Sequence, residues 1–340
     1  MQAVQTAAKK VGKQSIAFQN PPKIVSTFSI VGPKEGQGPL GKDFDTVLDD
    51  SYYGEKTWEK TEAKMVGEAV NNVIQRANLK PENIDYVLAG DLLDQIISTN
   101  FGIRDTDIPF FGLYGACSTM AEALTMGAIL VDGGYASRVI ATASSHFDSA
   151  ERQYRYPVEL GVQRKPTSQW TVTGSGAALL AAEGQGPRIV GATVGKIVDM
   201  GVKDPNNMGT AMAPAAADTI AAHLQDFGKS PRDYDLIVSG DLGEIGLSIT
   251  KELLQKQKIE ISDRFYDTGL MIFDRAQGVQ AGASGAGCSA VVFSSHLVKE
   301  LQAGKYKRIL LVGTGALLSP VTYQQGESIP SIAHAVSVEM

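Results

Sequence analysis

Residues 108–142 read IPFFGLYGACSTMAEALTMGAILVDGGYASRVIAT, and the punctuation of this run decides the fold. An apolar stretch breaks at Gly115, Cys117 follows, and residues 118–131 have the composition of a buried helix. Asp132-Gly133-Gly134 ends that helix, and residues 139–142 read as a buried strand. The product is a strand–helix–strand unit with a thiol at the start of its helix. Such a thiol faces unpaired backbone N–H groups and the positive end of the helix dipole, both of which favour thiolate. The other reading is a small core residue that fits a tight strand–helix junction.

Moving outward, strands and helices alternate. Residues 23–31, 84–89, 172–182, 188–199, 235–239, 308–312 and 331–338 read as strands, and 58–77, 215–225, 248–256 and 285–301 as helices. Residues 204–214 read as a loop, and 151–167 as charged, aromatic and irregular. This alternation predicts parallel sheets. The chain also repeats itself. Residues 83–92 align with 232–242 after one insertion, both ending in Gly-Asp-Leu. Gly115-Ala116-Cys117-Ser118, a helix and residues 134–140 align with Ala286-Gly287-Cys288-Ser289, a helix and residues 304–310. Two blocks matched in the same order predict a duplicated α/β unit, with halves at about residues 20–185 and 186–340.

Composition excludes several classes of function. The 340 residues are 43% hydrophobic and 20% charged with a net charge of -6, and no Lys/Arg block makes a nucleic-acid footprint. Two cysteines are too few for a disulfide framework. Residues 1–19 lack an apolar signal core, and no apolar run reaches the roughly 20 residues that span a bilayer. Membrane association is therefore expected to be peripheral or through a partner. Gly282–Gly287 does not have the dinucleotide-binding glycine order.

A duplicated unit with a cysteine at the first helix start resembles the thiolase / ketoacyl-synthase fold, a five-layered αβαβα arrangement of two βαβαβ halves. GACSTM is similar to that fold's nucleophile segment, TGSGAALL at 173–180 to its glycine-rich strand, GVQAGASGAG at 278–287 to a second glycine run, and VGTGAL at 312–317 to its closing loop. The resemblance implies two His, or one His and one Asn, beside the cysteine as base and oxyanion donors. This chain puts Val279 at one such position and Ser239-Gly240-Asp241-Leu242 at the other strand end, while its four histidines, His146, His223, His296 and His334, fall on neither. The last three read as structural; His146, at a strand end, is expected to face the pocket.

PFFGLYGACSTMAEAL, SSHFDSAERQYR and QWTVTGSGAALLAAEG closely resemble the stage V sporulation protein AD family. That resemblance implies a non-enzymatic protein that moves dipicolinic acid (pyridine-2,6-dicarboxylate) into the developing spore, peripheral on the inner membrane, with other proteins of the same operon as partners. The alternative is acyl transfer from a coenzyme A thioester, with Cys117 as nucleophile. No protein-bound cofactor is expected, and calcium enters, if at all, with the ligand. The fold further implies a homodimer built through a strand near Ile108-Pro109-Phe110-Phe111, apolar residues that would otherwise form an exposed edge.

The expected pocket lies where the two central helices begin. Cys117 and Ser118 open one and Ser284 and Gly285 the other, so backbone N–H groups favour an anion there. Gly313, Thr314 and Gly315 let backbone approach closely, and His146 adds a proton-dependent donor. Asp91, Asp241 and Glu244 lie at or after strand ends, where open sheets present ligand groups. Their expected roles are calcium or orientation, or, for Asp91 and Asp241, caps on the following segments. Arg152, Arg155, Arg164 and Lys165 read as a solvated face, with one of them able to reach an anion.

Overall fold

The computed structural model describes residues 9–155, 164–261 and 263–340. The principal strands are β1 (Lys23–Val31), β2 (Tyr86–Gly90), β3 (Phe110–Gly112), β4 (Arg138–Ser145), β5 (Gly174–Ala181), β6 (Arg188–Thr193), β7 (Leu236–Ser239), β8 (Phe265–Asp267), β9 (Arg308–Ala316) and β10 (Ser331–Glu339). They pair along one continuous path, β8-β7-β9-β10-β6-β1-β5-β4-β2-β3. Read outward from the β1–β6 junction at Lys23 and Arg188, the two directions are the same topology. One runs β1-β5-β4-β2-β3 and the other β6-β10-β9-β7-β8, so the duplication read from the sequence is a duplication of fold. The proposed division at 185/186 falls in the turn between β5 and β6.

The layers follow from alternation along each strand. In β9, Ile309 and Leu311 enter the central core, while Leu310 and Val312 enter an outer one. In β5, Ala178 and Leu180 face the central core, and Ala177 and Leu179 face the other outer core. The central layer holds α2 (Thr119–Asp132) and α6 (Ala286–Val292, continuing to Gln302 through a π turn). Helix α1 (Trp58–Arg76) covers the outside of the first half; α4 (Met208–Phe227) and α5 (Gly243–Lys256) cover the second. This is the five-layered thiolase-like α/β fold expected from the sequence. Both central helices are buried because small and apolar residues surround them: Met120, Ala121, Ala123 and Leu124 on α2, Ala290, Val291, Val292 and Phe293 on α6.

Two expectations about elements are corrected, and one element is new. The sheets are mixed, because β5 and β10 run antiparallel to their neighbours. Each returns beside the strand before it without a helical crossover, Ser145 opposite Gly174 and Ala316 opposite Ser331. Tyr154, Arg155 and Leu317–Pro320, which lie between those paired ends, line the cavity described below. Second, α4 starts at Met208 and carries Pro214 inside it, where the sequence suggested a loop. Tertiary contact overrides propensity: a Cβ on Gly209 would lie 2.3 Å from the Leu242 carbonyl oxygen, and one on Gly246 would lie 2.6 Å from that of Gly209, so α4 and α5 cross backbone to backbone. The three-residue β8 was not anticipated, and Asp267 at its end accepts from the amides of Leu242 and Gly243 at 2.8 and 3.0 Å, capping α5.

Contact between β5 and α6 is as tight. A Cβ on Gly176 would lie 2.2 Å from the Ala290 carbonyl oxygen, whereas one on Gly127 would meet the tip of the Leu180 side chain at 2.9 Å. Gly176→Ala is therefore expected to destabilise the protein by about 1–3 kcal/mol or more, and Gly127→Ala by less, since a side chain can give way where a backbone cannot. Urea denaturation of both variants checks the ordering; equal stabilities would contradict the packing described.

Candidate functional site

The first helix does not begin directly at Cys117. Ala116–Ser118 forms a 3-10 turn, and Ala116 adopts φ +52°, a left-handed conformation costly for a residue with a Cβ. This turn sets Cys117 on the wall of a cavity of about 260 Å³. Ser284 and Thr171 share that wall. Tyr114, Tyr154 and Arg155 line it from the first half, and Leu317–Pro320 from the excursion before β10. The short parallel pair Trp170–Thr171 and Ala283–Ser284 joins the two halves at this point.

Behind Ser284 lies Asp241. Its carboxylate accepts from the Ser284 hydroxyl at 2.9 Å, the Gly285 amide at 3.0 Å and the Thr314 hydroxyl at 2.8 Å. The Cys117 thiol lies near enough for this carboxylate to act on its ionisation. Of the expected site residues, the structure thus brings together Cys117, Asp241, Ser284, Gly285 and Thr314. Gly313 and Gly315 pack on the same turn: a Cβ on Gly313 would meet Ala121 at 2.6 Å, and one on Gly315 the Gly115 oxygen at 2.5 Å. Ser118 is fully buried, its hydroxyl donating to the Gly115 carbonyl at 2.7 Å. Ser118, Gly285 and the 313–315 strand are the backing of the cavity rather than its surface.

Of the two readings of Cys117, its surroundings favour the small buried residue over the thiolate. Burial pushes the Cys117 thiol well above its ordinary value, and the Asp241 carboxylate pushes it further. Desolvation of the charged form outweighs the helix terminus here, because the negative neighbour opposes what the dipole offers. The position assigned to Val279 is also corrected. Val279 is buried in the central hydrophobic core, and the side chain facing the thiol is Ser284, 4.0 Å from sulfur to oxygen. An ionised Asp has no proton to donate to an oxyanion.

Other expected residues serve elsewhere. His146 does not line the cavity. It is fully buried and caps the helix α3 (Phe147–Tyr154), with Nδ1 accepting from the Asp148 amide at 3.3 Å and Nε2 facing the Ser51 carbonyl oxygen at 2.9 Å. Those partners fix the neutral ring with its proton on Nε2, and burial lowers the pKa to about 4. Asp91 takes the capping role: it accepts from the Leu93 and Thr99 amides at 2.8 and 2.7 Å. Glu244 is on the surface, paired with Arg275 at 2.7 Å. Among the described residues no group of three or more His, Cys, Asp or Glu is placed to hold a metal ion, so Asp91, Asp241 and Glu244 do not converge on one.

His223, His296 and His334 are structural. His223 contacts the Thr193 hydroxyl at 2.7 Å and the Tyr234 hydroxyl at 2.6 Å, His296 contacts Asp43 at 2.6 Å, and His334 accepts from the Gly195 amide at 3.2 Å. Arg152 and Lys165 face solvent beside Glu59 and Asp204. Arg155 and Arg164 do not: their side chains are 6% and 13% exposed, and both pair with Glu151. The i,i+4 spacing of Glu151 and Arg155 was the sequence signal for that pair, masked by the other charges around it.

The sequence model of the family described as Stage V sporulation protein AD matches residues 12–339. The chain is 46% identical over 331 residues to Stage V sporulation protein AD of Bacillus subtilis (strain 168), covering 97% of this chain and 98% of that one. The chain belongs to the stage V sporulation protein AD family. Solved structures similar to it in fold are condensing enzymes. The 3-oxoacyl-[acyl-carrier-protein] synthase III of Aquifex aeolicus VF5 is 14% identical, with a TM-score of 0.57, over 94% of this chain and all of that one. A tetronic acid condensing enzyme is 18% identical, with a TM-score of 0.56, over 94% of this chain and all of that one. At these identities the likeness shows fold alone. This sporulation-family chain therefore has a condensing-enzyme fold whose cysteine is backed by Asp241 and Ser284.

Buried acids also predict a pH signature. Burial raises Glu35, which accepts from the Thr173 amide at 2.9 Å, to about 7. With its folded pKa above its unfolded one, its contribution to stability is complete below about 4.5 and is lost as pH rises through about 7. The depressed His146 acts oppositely: its contribution is present above about 6.5 and is lost as pH falls through about 4. Glu35→Gln is thus expected to stabilise the protein at pH 8 relative to pH 5 by roughly 2–3 kcal/mol compared with wild type. Urea midpoints at the two pH values measure this, and an unchanged difference would contradict it.

Proposed function

We propose that this protein is a non-catalytic binder of dipicolinic acid, with the Cys117–Ser284 cavity as its site, acting in the ligand's uptake into the developing spore. The observation that carries the reading is the company Cys117 keeps. Ser284, 4.0 Å from the sulfur, and Asp241 behind it stand where a base and oxyanion donors would be needed, and burial together with that carboxylate pushes the thiol away from ionisation. No histidine reaches it: the described contacts of all four histidines lie elsewhere. Membership in a sporulation family supports the biological setting, and the small walls provided by Ala116, Thr171, Ser284 and Ala316 suit a flat ring. Calcium, if bound, accompanies the ligand.

The alternative, acyl transfer from a coenzyme A thioester, draws support from the fold shared with condensing enzymes. Incubation with acetyl-coenzyme A followed by intact-mass and peptide mass spectrometry separates the two. The binding reading expects an unmodified Cys117 peptide; an acetylated one overturns it. Titration with dipicolinate, with and without calcium, then establishes whether the metal contributes.

The protein's place is proposed as the spore inner membrane, peripherally, beside membrane proteins of the same operon. Among the described residues no helix is long and apolar enough to cross a membrane. A two-fold dimer is proposed through β3, which ends the strand path and leaves Phe111 43% exposed. Light scattering is expected to give twice the chain mass at micromolar concentration; a monomer contradicts the dimer.

A further inference from the structure

Beyond the cysteine, the cavity wall carries a buried cluster that the site described above does not use. Arg155 ends α3 and lines the cavity. Its Nη1 donates to Glu151, its Nε donates to the Pro205 carbonyl at 3.3 Å, and its Nη2 points at the sulfur of Met208, 3.5 Å away. A thioether is a weak acceptor, so one arm of a buried guanidinium is spent on the poorest partner available, and Met208 itself lines the cavity. Glu151, in turn, is shared. Arg164 approaches its other oxygen at 3.4 Å, and the Thr171 hydroxyl lies 3.4 Å from the first. Two guanidinium groups thus share one carboxylate. The other charged side chain on the lining, Asp94, is exposed and within 3.3 Å of the Tyr114 hydroxyl.

We propose that Arg155 is the specificity-determining residue of the cavity: its Nη2 exchanges the Met208 sulfur for a carboxylate oxygen of the ligand. Identifying that ligand as dipicolinate rests on the function proposed above, but the chemistry requires only an anionic carboxylate. A carboxylate is a much stronger acceptor than a thioether, and a charge-assisted bond in a water-poor site is among the stronger polar contacts. Exchange costs little elsewhere. Only the Met208 contact is given up, and Glu151 keeps Arg155 Nη1, Arg164 and Thr171, so no buried carboxylate is left bare. The remaining contacts on Nη1 and Nε hold the guanidinium plane in place, which gives the cavity a directional anion receptor rather than a diffuse charge.

The test titrates dipicolinate, pyridine-2-carboxylate, benzoate and the uncharged dipicolinamide into wild type, Arg155→Met and Arg155→Lys. Thermal melts confirm that each variant folds. Wild type is expected to prefer dipicolinate over dipicolinamide by at least about tenfold. Arg155→Met should erase that preference while retaining dipicolinamide binding, and Arg155→Lys should restore part of it. Dipicolinate binding unaltered by Arg155→Met overturns the anion receptor and leaves the ligand's identity standing, and so does an equal loss of dipicolinamide. Binding of pyridine-2-carboxylate or benzoate through Arg155, without dipicolinate, leaves the receptor standing and overturns the identity. Binding of no carboxylate at all overturns both.

Discussion

Ser284→Leu is expected to weaken dipicolinate binding by at least about a hundredfold, about 2.7 kcal/mol. Ser284 is 2% exposed and sits on the cavity wall beside the thiol, 4.0 Å away. A leucine there projects well beyond the serine hydroxyl into a space of about 260 Å³, so the ligand and the side chain compete for the same volume. The substitution also removes the hydroxyl donor to Asp241, whose carboxylate keeps the Gly285 amide and the Thr314 hydroxyl. Ser284→Ala separates the two effects. It loses the same hydrogen bond, worth about 1 kcal/mol, but leaves the cavity open, and it should bind within a few-fold of wild type. Calorimetry on both variants, with melting curves as the folding check, decides the matter; Ser284→Leu binding as well as wild type would place the ligand elsewhere.

Cys117 is expected to be alkylated by iodoacetamide at pH 8 at less than about a tenth of the rate of a free thiol, because only the thiolate reacts. Burial and the adjacent Asp241 both oppose ionisation. Asp241→Asn removes the negative neighbour and should speed alkylation several-fold at the same pH, even though access to the cavity is unchanged. The variant leaves a donor among Ser284, Gly285 and Thr314 poorly paired, so it is also expected to melt lower. Mass spectrometry of the Cys117 peptide over time reads the rate directly. Rapid alkylation in wild type, or a slower rate in Asp241→Asn, would contradict the electrostatics described for the pocket.

Much of the fold was legible because it is written in period and repetition. The alternation in β9 and β5 and the small residues of α2 and α6 follow from layers that must be buried on both sides. The matched Gly-Asp-Leu and cysteine–helix blocks followed from duplication. Less legible was whatever depended on how a chain returns. Nothing in the pattern of β5 or β10 says that they run antiparallel to their neighbours, and the residues that reach the cavity before them, Tyr154, Arg155 and Leu317–Pro320, carry no strand or core signature. The site was legible at Cys117, Asp241 and Ser284, which local glycine patterns marked. The protonation of Cys117 was not, since a helix start argues one way and a buried carboxylate from residue 241 argues the other. His146 shows the same limit: a histidine at a strand end can face a pocket or cap a helix, and only the Asp148 amide and the Ser51 carbonyl decide between them.

Binding of a small aromatic dicarboxylate without reaction, as proposed for this condensing-enzyme fold, is read by calorimetric titration of the full chain with dipicolinate, run beside benzene-1,3-dicarboxylate, which lacks the ring nitrogen. Saturable heat is expected with dipicolinate, one ligand per chain, with weaker binding of the carbocyclic analogue. A flat response to both compounds in folded wild-type protein would overturn the proposed function.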